Sequence, residues 1–254
     1  MDVVSVIGLK VHVTNYKQAL SKSIDLSELD KPSAVSAANT HLATEARIDY
    51  NFSDVMDRFD LVLPDGVPLK WVINYYQKSN KKKKLVDRVY GPYFMKYVIQ
   101  NTPSQKSHFL FGGSEECLKD LKDELYKINP KVNIVGVLSP PFREWSAADQ
   151  RYFADQINNI NPDFIWVALG GVKQENWIIN NIKFYNRGVF FAVGDAFELL
   201  AKRRPFAPQI LQKYGMTWFY RLYQEPSRMW KRYLISNTLF IYFLFKDLFK
   251  KTNT

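Results

Sequence analysis

The sequence predicts an α/β fold, a mostly parallel, Rossmann-like sheet flanked by helices, with a helical, basic C-terminal appendage. Three observations lead there. Short apolar runs alternate with amphipathic stretches over the first 200 residues, the pattern of strands joined by crossover helices. Several runs, "FIWVAL" and "VFFAV" among them, are apolar without alternation, as in strands covered on both faces. From Ala201 onward the chain becomes helical in pattern, basic and crowded with aromatics.

The opening "MDVVSVIGLKVHV" begins with an acid and breaks its apolar residues with Lys10 and His12. It reads as a first strand or hairpin and not as a signal peptide. Strands are expected at Val3–Ile7, Ser33–Ala38, Leu61–Leu63, His108–Phe111, Val132–Val137, Phe164–Leu169 and Val189–Val193. Helical spacing marks Tyr16–Ser27, Val67–Gln77, Ser114–Ile128, Ser146–Ile160 and Lys173–Ile182. In the third of these Ser114 is placed to cap, Leu118, Leu121 and Leu125 recur on one face, and Pro130 lies past the end. Pro226 is well placed to open a final helix, on which Arg228, Lys231 and Arg232 share a face. The natural division is a core over 1–200 and an appendage over 201–254.

Charge follows the same division. The chain of 254 residues carries a net +10. Residues 201–254 hold eleven Lys and Arg against two acids, Glu225 and Asp247, a balance of +9. The other 200 residues hold 24 basic and 23 acidic side chains. The tail is therefore expected to meet an anionic partner. Its longest apolar run, Leu239–Phe245, has seven residues, whereas a spanning helix needs ~20. An aromatic helix flanked by Lys and Arg suits the plane of a membrane interface instead. The run Lys81–Lys84 reads as a solvated loop, and a loop beside an anionic surface would look the same. The single cysteine, Cys117, excludes an intramolecular disulfide framework.

In an open parallel sheet ligands bind beyond the carboxyl ends of the strands. The segments there are "SAANTH", "LPDG", "FGGSEE", "VLSPPF", "LGGVKQE" and "VGDAFE". Their glycines, Gly66, Gly112, Gly113, Gly170 and Gly194, with Gly136 just ahead of "VLSPPF", permit tight turns and close approach of backbone N–H groups to phosphate. Together they indicate a nucleotide or sugar-nucleotide crevice. The dinucleotide fingerprint G-x-G-x-x-G and the P-loop are absent, which disfavours nicotinamide chemistry and P-loop hydrolysis. The three histidines are scattered and no D-x-D occurs, so no metal is expected. Positive charge for a leaving diphosphate would come from Arg, Lys or helix N-termini.

Five stretches carry a family likeness: "DLVLPDGVPLKW", "RVYG", "NPDFIWVALGGVKQENWI", "AVGDAFELLAKRRPFAP" and "GMTWFYRLYQEPSRMWKRYL". Over nearly its whole length the chain resembles the WecG/TagA/CpsF glycosyltransferases, glycosyltransferase family 26. The resemblance implies an inverting, metal-independent enzyme that moves a sugar from a UDP-sugar to a polyprenyl-diphosphate-linked saccharide. No cofactor is implied, and the work is done at the cytoplasmic face of the cell membrane, to which the tail attaches peripherally. The family's general base matches Asp65. Its diphosphate-facing cations match Arg221, Arg228 and Lys231, with Arg232 alongside. Gln174 and Glu175, with Lys173, match the element lining the nucleotide side, and Asn39 matches a candidate sugar-holding residue. Thr40, Gly66, Arg88 and Asp195 complete the implied binding set with the glycines named above. The chain departs from the family pattern at Ala37, Pro68, Gly91-Pro92-Tyr93, Val172 and Glu198, all beside the implied donor and acceptor sites. A competing reading is a nucleic-acid-binding module that uses the basic aromatic tail. The site reading argues against nucleic acid as partner, and the sequence leaves a homo-oligomer open.

Overall fold

The structure is a computed structural model that describes residues 1–252. The chain begins with a hairpin of β1 (Val3–Val6) and β2 (Leu9–His12), paired antiparallel and separate from the main sheet. The first expected strand therefore does not join the parallel sheet. Then follow α1 (Tyr16–Ser27), β3 (Pro32–Ala38), α2 (Thr40–Ile48), α3 (Tyr50–Asp57), β4 (Leu61–Pro64), α4 (Val67–Ser79) and α5 (Gly91–Asn101). The second half runs β5 (Ser107–Gly112), α6 (Glu115–Ile128), β6 (Asn133–Leu138), α7 (Ala147–Ile160), β7 (Phe164–Ala168), α8 (Lys173–Asn181), β8 (Gly188–Ala192) and α9 (Ala196–Leu200). Two short helices, α10 (Gln209–Lys213) and α11 (Thr217–Gln224), lead into α12 (Pro226–Thr252).

The six-stranded sheet has the order β4-β3-β8-β7-β5-β6, and every pairing is parallel. Alternate residues of each strand go to opposite faces, and in β7 and β8 both faces are buried. Ile165, Val167, Phe190 and Ala192 pack beneath α2, α3, α4, α7 and α8. Phe164, Trp166, Val189 and Phe191 pack beneath α1, α5, α6 and α9. That explains the unbroken apolar runs. The buried Trp166 keeps one polar atom satisfied: its indole N–H donates to His108 Nδ1 at 3.1 Å. Burial pushes His108 down to about 4, so it stays a neutral acceptor in the core.

Helix α12, about 40 Å long at 1.5 Å per residue, lies against α2. Phe240 enters the core, Phe243 and Leu244 pack against it, and polar contacts tie the two helices. Thr44 Oγ1 donates to the Ser236 carbonyl at 3.1 Å, and His41 Nδ1 meets Ser236 Oγ at 2.9 Å. Arg47 pairs with Asp247 at 3.0 Å. Burial, with Arg232 nearby, pushes His41 down to about 3, so it is a neutral hydrogen-bonding group despite Glu45 at 3.5 Å.

Candidate active site

β3 and β8 are neighbours, yet the helices that follow them go to opposite faces of the sheet, α2 to one and α9 to the other. Such a switch point leaves a crevice beyond the strand ends. Two cavities occupy it. One, of about 270 Å³, is lined by Asn39, Pro92, Gly170, Gln174, Gly194 and four arginines, 204, 221, 228 and 232. The other, of about 390 Å³, is walled mainly by apolar and aromatic side chains, Trp71, Tyr90, Trp218, Tyr233 and Phe240 among them. Asn39, Asp65, Asp195, Arg221 and Arg232 line both. A third cavity, of about 780 Å³, lies beyond β5 and β7 and is bordered by Gly113, Phe142, Trp145, Lys173 and Gly194.

Asp65 follows directly on β4. Its N–H and that of Gly66 both donate to the Ala38 carbonyl, at 2.9 and 3.2 Å, which ties the turn to the end of β3. Gly66 is packed closely, since a Cβ there would lie 3.4 Å from Asn39 Cα. The Asp65 side chain is 15% exposed, and Oδ1 has no hydrogen-bond partner among the described residues. Burial pushes its pKa up to about 7. Arg88 and the Gly91 N–H pull the other way, while Asp195 adds to the rise. Arg88 Nη1 lies 3.8 Å from Oδ1 and donates to the Asp65 carbonyl at 3.1 Å, with its guanidinium over the Tyr90 ring. A carboxylate that loses its proton near neutrality, with one oxygen free, can accept a proton from a hydroxyl.

The cations are arranged unequally. Arg221 and Arg204 flank Asp195 at 3.3 and 3.4 Å. Arg228 reaches the rim of the polar cavity, but it is 61% exposed and pairs with Glu225 at 2.7 Å. Lys231 is exposed over the Trp230 ring and lines neither crevice cavity. Arg232 points inward, its Nε buried without a hydrogen-bond partner among the described residues. Burial lowers its pKa, and Arg221 lowers it further. At 100° per residue Arg228, Lys231 and Arg232 straddle the border between docked and open faces, so the shared face divides. A buried guanidinium with a spare donor is set for an anion.

Loop residues 169–172 back this arginine. A Cβ on Gly171 would lie 3.2 Å from Arg232 Nη2, and Gly170, at φ +88, has nothing within 4 Å of such an atom. Val172, a β-branched residue at φ 68, holds a strained conformation at the start of α8. On the floor, Gln174 accepts from the Gly194 N–H at 3.0 Å and donates to Glu175 at 3.1 Å. Ser36 Oγ also donates to Glu175, at 3.3 Å, and burial raises that carboxyl's pKa.

The structure therefore brings Asn39, Thr40, Asp65, Gly66, Arg88, Gly170, Gln174, Gly194, Asp195, Arg221, Arg228 and Arg232 to the two crevice cavities. Gly113 and Lys173 border the third, Lys173 lying over the Trp145 ring. Asn39 also has a local duty, because its Oδ1 accepts from the His41 and Leu42 N–H groups and caps α2. Thr40 Oγ1 donates to Asn237 at 3.4 Å. Four expected binding residues are elsewhere. Glu175 is fully buried beneath the floor, where it accepts from Gln174 and Ser36. Gly112, at φ +116, permits close packing of β5 on β7: a Cβ would lie 2.4 Å from the Ala168 carbonyl oxygen. Gly136 is in mid-strand, where a Cβ would lie 2.5 Å from the Phe109 ring. Lys231 faces outward, as above. The sequence reading missed Trp71, Tyr90, Trp218 and Tyr233. Trp71 was within reach, one helical turn past Val67 on the helix that opens behind Asp65.

Among the described residues no cluster of three His, Cys, Asp or Glu could hold a metal ion, and no helix is long and apolar enough to cross a membrane. Fold and crevice define an α/β protein with a buried carboxylate beside guanidinium groups at the strand ends. The chain belongs to the glycosyl transferase WecG/TagA/CpsF family, whose sequence model matches residues 4–254, and it is a glycosyltransferase. It is 28% identical to the N-acetylglucosaminyldiphosphoundecaprenol N-acetyl-beta-D-mannosaminyltransferase of Bacillus subtilis (strain 168), over 79% of this chain and 74% of that protein. The enzyme of the same name from Bacillus spizizenii is 25% identical, over 81% of this chain and 76% of its own length.

Proposed function

We propose that the protein transfers a sugar from a UDP-sugar to a saccharide carried on a polyprenyl diphosphate, by single displacement with inversion. The observation that carries this is the position of Asp65 on the wall common to a guanidinium-lined cavity and an aromatic one. A donor diphosphate suits the first, where Arg221 and Arg232 offset the charge that grows as UDP leaves, with no metal required. An acceptor sugar with its lipid stem suits the second, since pyranose rings and isoprenyl groups both pack on aromatic faces. Asp65 then removes the proton from the acceptor hydroxyl as that oxygen attacks from the side opposite the diphosphate. The two Bacillus relatives, named for an acceptor of N-acetylglucosamine on undecaprenyl diphosphate, support the acceptor class.

In this reading the enzyme works from the cytoplasm, bound peripherally to the inner face of the membrane through α12. An exposed row on that helix, Trp230, Leu234, Ile241, Phe245 and Phe249, supports the attachment. The test is incubation with a panel of UDP-sugars and a polyprenyl-diphosphate-linked N-acetylglucosamine, with products read by mass. Addition of one sugar to the lipid by the parent protein, and its loss in Asp65→Asn, is the expected result. Transfer that survives in the Asn variant refutes the role of Asp65, and no product from any UDP-sugar refutes the donor class.

A further inference from the structure

We infer that the Lys81–Lys84 loop and the outer face of α4 form a second bilayer contact, which seats the mouth of the aromatic cavity on anionic lipid. The inference rests on the membrane reading above and extends it to a part of the chain 120 residues from the tail's charge, outside the appendage.

Trp71 and Ile241 both line the aromatic cavity, yet they are 57% and 53% exposed. Residues that line a cavity and also face solvent stand at its mouth, so the opening lies between α4 and α12. Tyr75, one turn beyond Trp71 on α4, is also exposed, as is Phe245, one turn beyond Ile241. The segment after α4 is held against the same helix. Lys70 Nζ donates to the Val86 carbonyl at 2.7 Å, and Asn74 exchanges two hydrogen bonds with Leu85. Leu85 packs against the hydrophobic core, as do Tyr76 of α4 and Phe243 and Leu244 of α12. Val86, 88% exposed, is thus held against the helix that also displays Trp71 and Tyr75.

Lys81, Lys82, Lys83 and Lys84 are all exposed on this segment, and Asp2 pairs with Lys82. Exposed aromatic side chains followed by a run of lysines are the chemistry of a bilayer interface carrying anionic headgroups. A cavity that opens beside such a surface can take a lipid-borne substrate without lifting its isoprenyl chain into water.

The test uses the full-length protein with vesicles of zwitterionic lipid alone and of zwitterionic lipid with 30% anionic lipid (about that fraction gives a cytoplasmic-type surface potential), at physiological salt. Each lysine near such a surface contributes about fivefold to partitioning. Changing Lys81, Lys83 and Lys84 together to Gln is therefore expected to lower binding to anionic vesicles by tenfold or more and to leave zwitterionic binding unchanged. Trp71→Ala should weaken binding to both. A Phe245→Glu variant reports the tail separately. If it loses binding while the lysine variant matches the parent, the tail reading stands and this inference is overturned. If the parent binds neither vesicle, or retains single-stranded DNA in their place, both fall.

Discussion

Replacing Asp65 by Asn separates the cost of the site from its use. The Asp65 carboxyl has its pKa raised from 3.8 to about 7, mainly by burial. The folded protein therefore keeps this proton through a range in which the unfolded chain has lost it. With more protons bound when folded, stability falls as pH rises across that window, and the loss is complete above about pH 7. At ~1.4 kcal/mol per pH unit, the ionised carboxylate costs the fold up to about 4 kcal/mol at pH 8. An amide of the same shape carries no such charge. Urea unfolding should find Asp65→Asn close to the parent near pH 4 and more stable than it, by about 2–4 kcal/mol, at pH 8. The same variant should lose about 10²–10⁴-fold in kcat. In the parent, kcat/KM should rise with pH and level off above about 7, and the residual activity of the variant should lack that limb. Identical pH dependence of unfolding in both proteins, or an Asn variant that is the less stable at pH 8, would refute the account of a buried, strained carboxylate.

The arginines offer a second measurement. Arg221→Gln and Arg232→Gln should each lower kcat/KM by about 10–100-fold through lost charged hydrogen bonds, whereas Arg228→Gln, already paired with Glu225, should cost less than tenfold in steady-state assays. Gly112→Ala forces a Cβ against the Ala168 carbonyl at positive φ. It should cost about 2–4 kcal/mol, seen as a fall of about 5–15 °C in thermal midpoint. Glu175→Gln should leave unfolding within about 1 kcal/mol of the parent, while Glu175→Ala should lose about 2–3 kcal/mol by stripping Ser36 and Gln174 of their acceptor.

Much of the architecture was legible because the parallel sheet imposes apolar runs, and Ser114, Pro226 and Asp65 carry local signals that need no partner. Other elements hid behind ambiguous chemistry. No helix is expected from the sequence after Asn39 or at Gly91-Pro92, yet the first caps α2 and the second opens α5. Strand order could not be read, because β7 crossing to the other side of β5 and β8 settling against β3 depend on contacts far apart in the chain. The same limit governs the site. Glycines at strand ends look alike in sequence, but Gly170 faces open space while Gly112 and Gly136 are filled by neighbouring strands. Glu175 became a floor residue through Ser36, 139 positions away. Which of three neighbouring cations turns inward was fixed by how α12 docks on α2, and one helical repeat does not reveal that.

The common wall between the two crevice cavities also bears on how such an enzyme can diverge. Among the described residues, five side chains, Asn39, Asp65, Asp195, Arg221 and Arg232, line both chambers. Pro92, Gly170 and Gln174 belong to one alone, and Pro68, Trp71 and Trp218 to the other. Under the proposed assignment of donor and acceptor to the two cavities, a drift in donor preference can accumulate in one set while the acceptor set is left as it was, and the reverse holds equally. The partition makes the two specificities separately heritable, with the chemistry held constant between them.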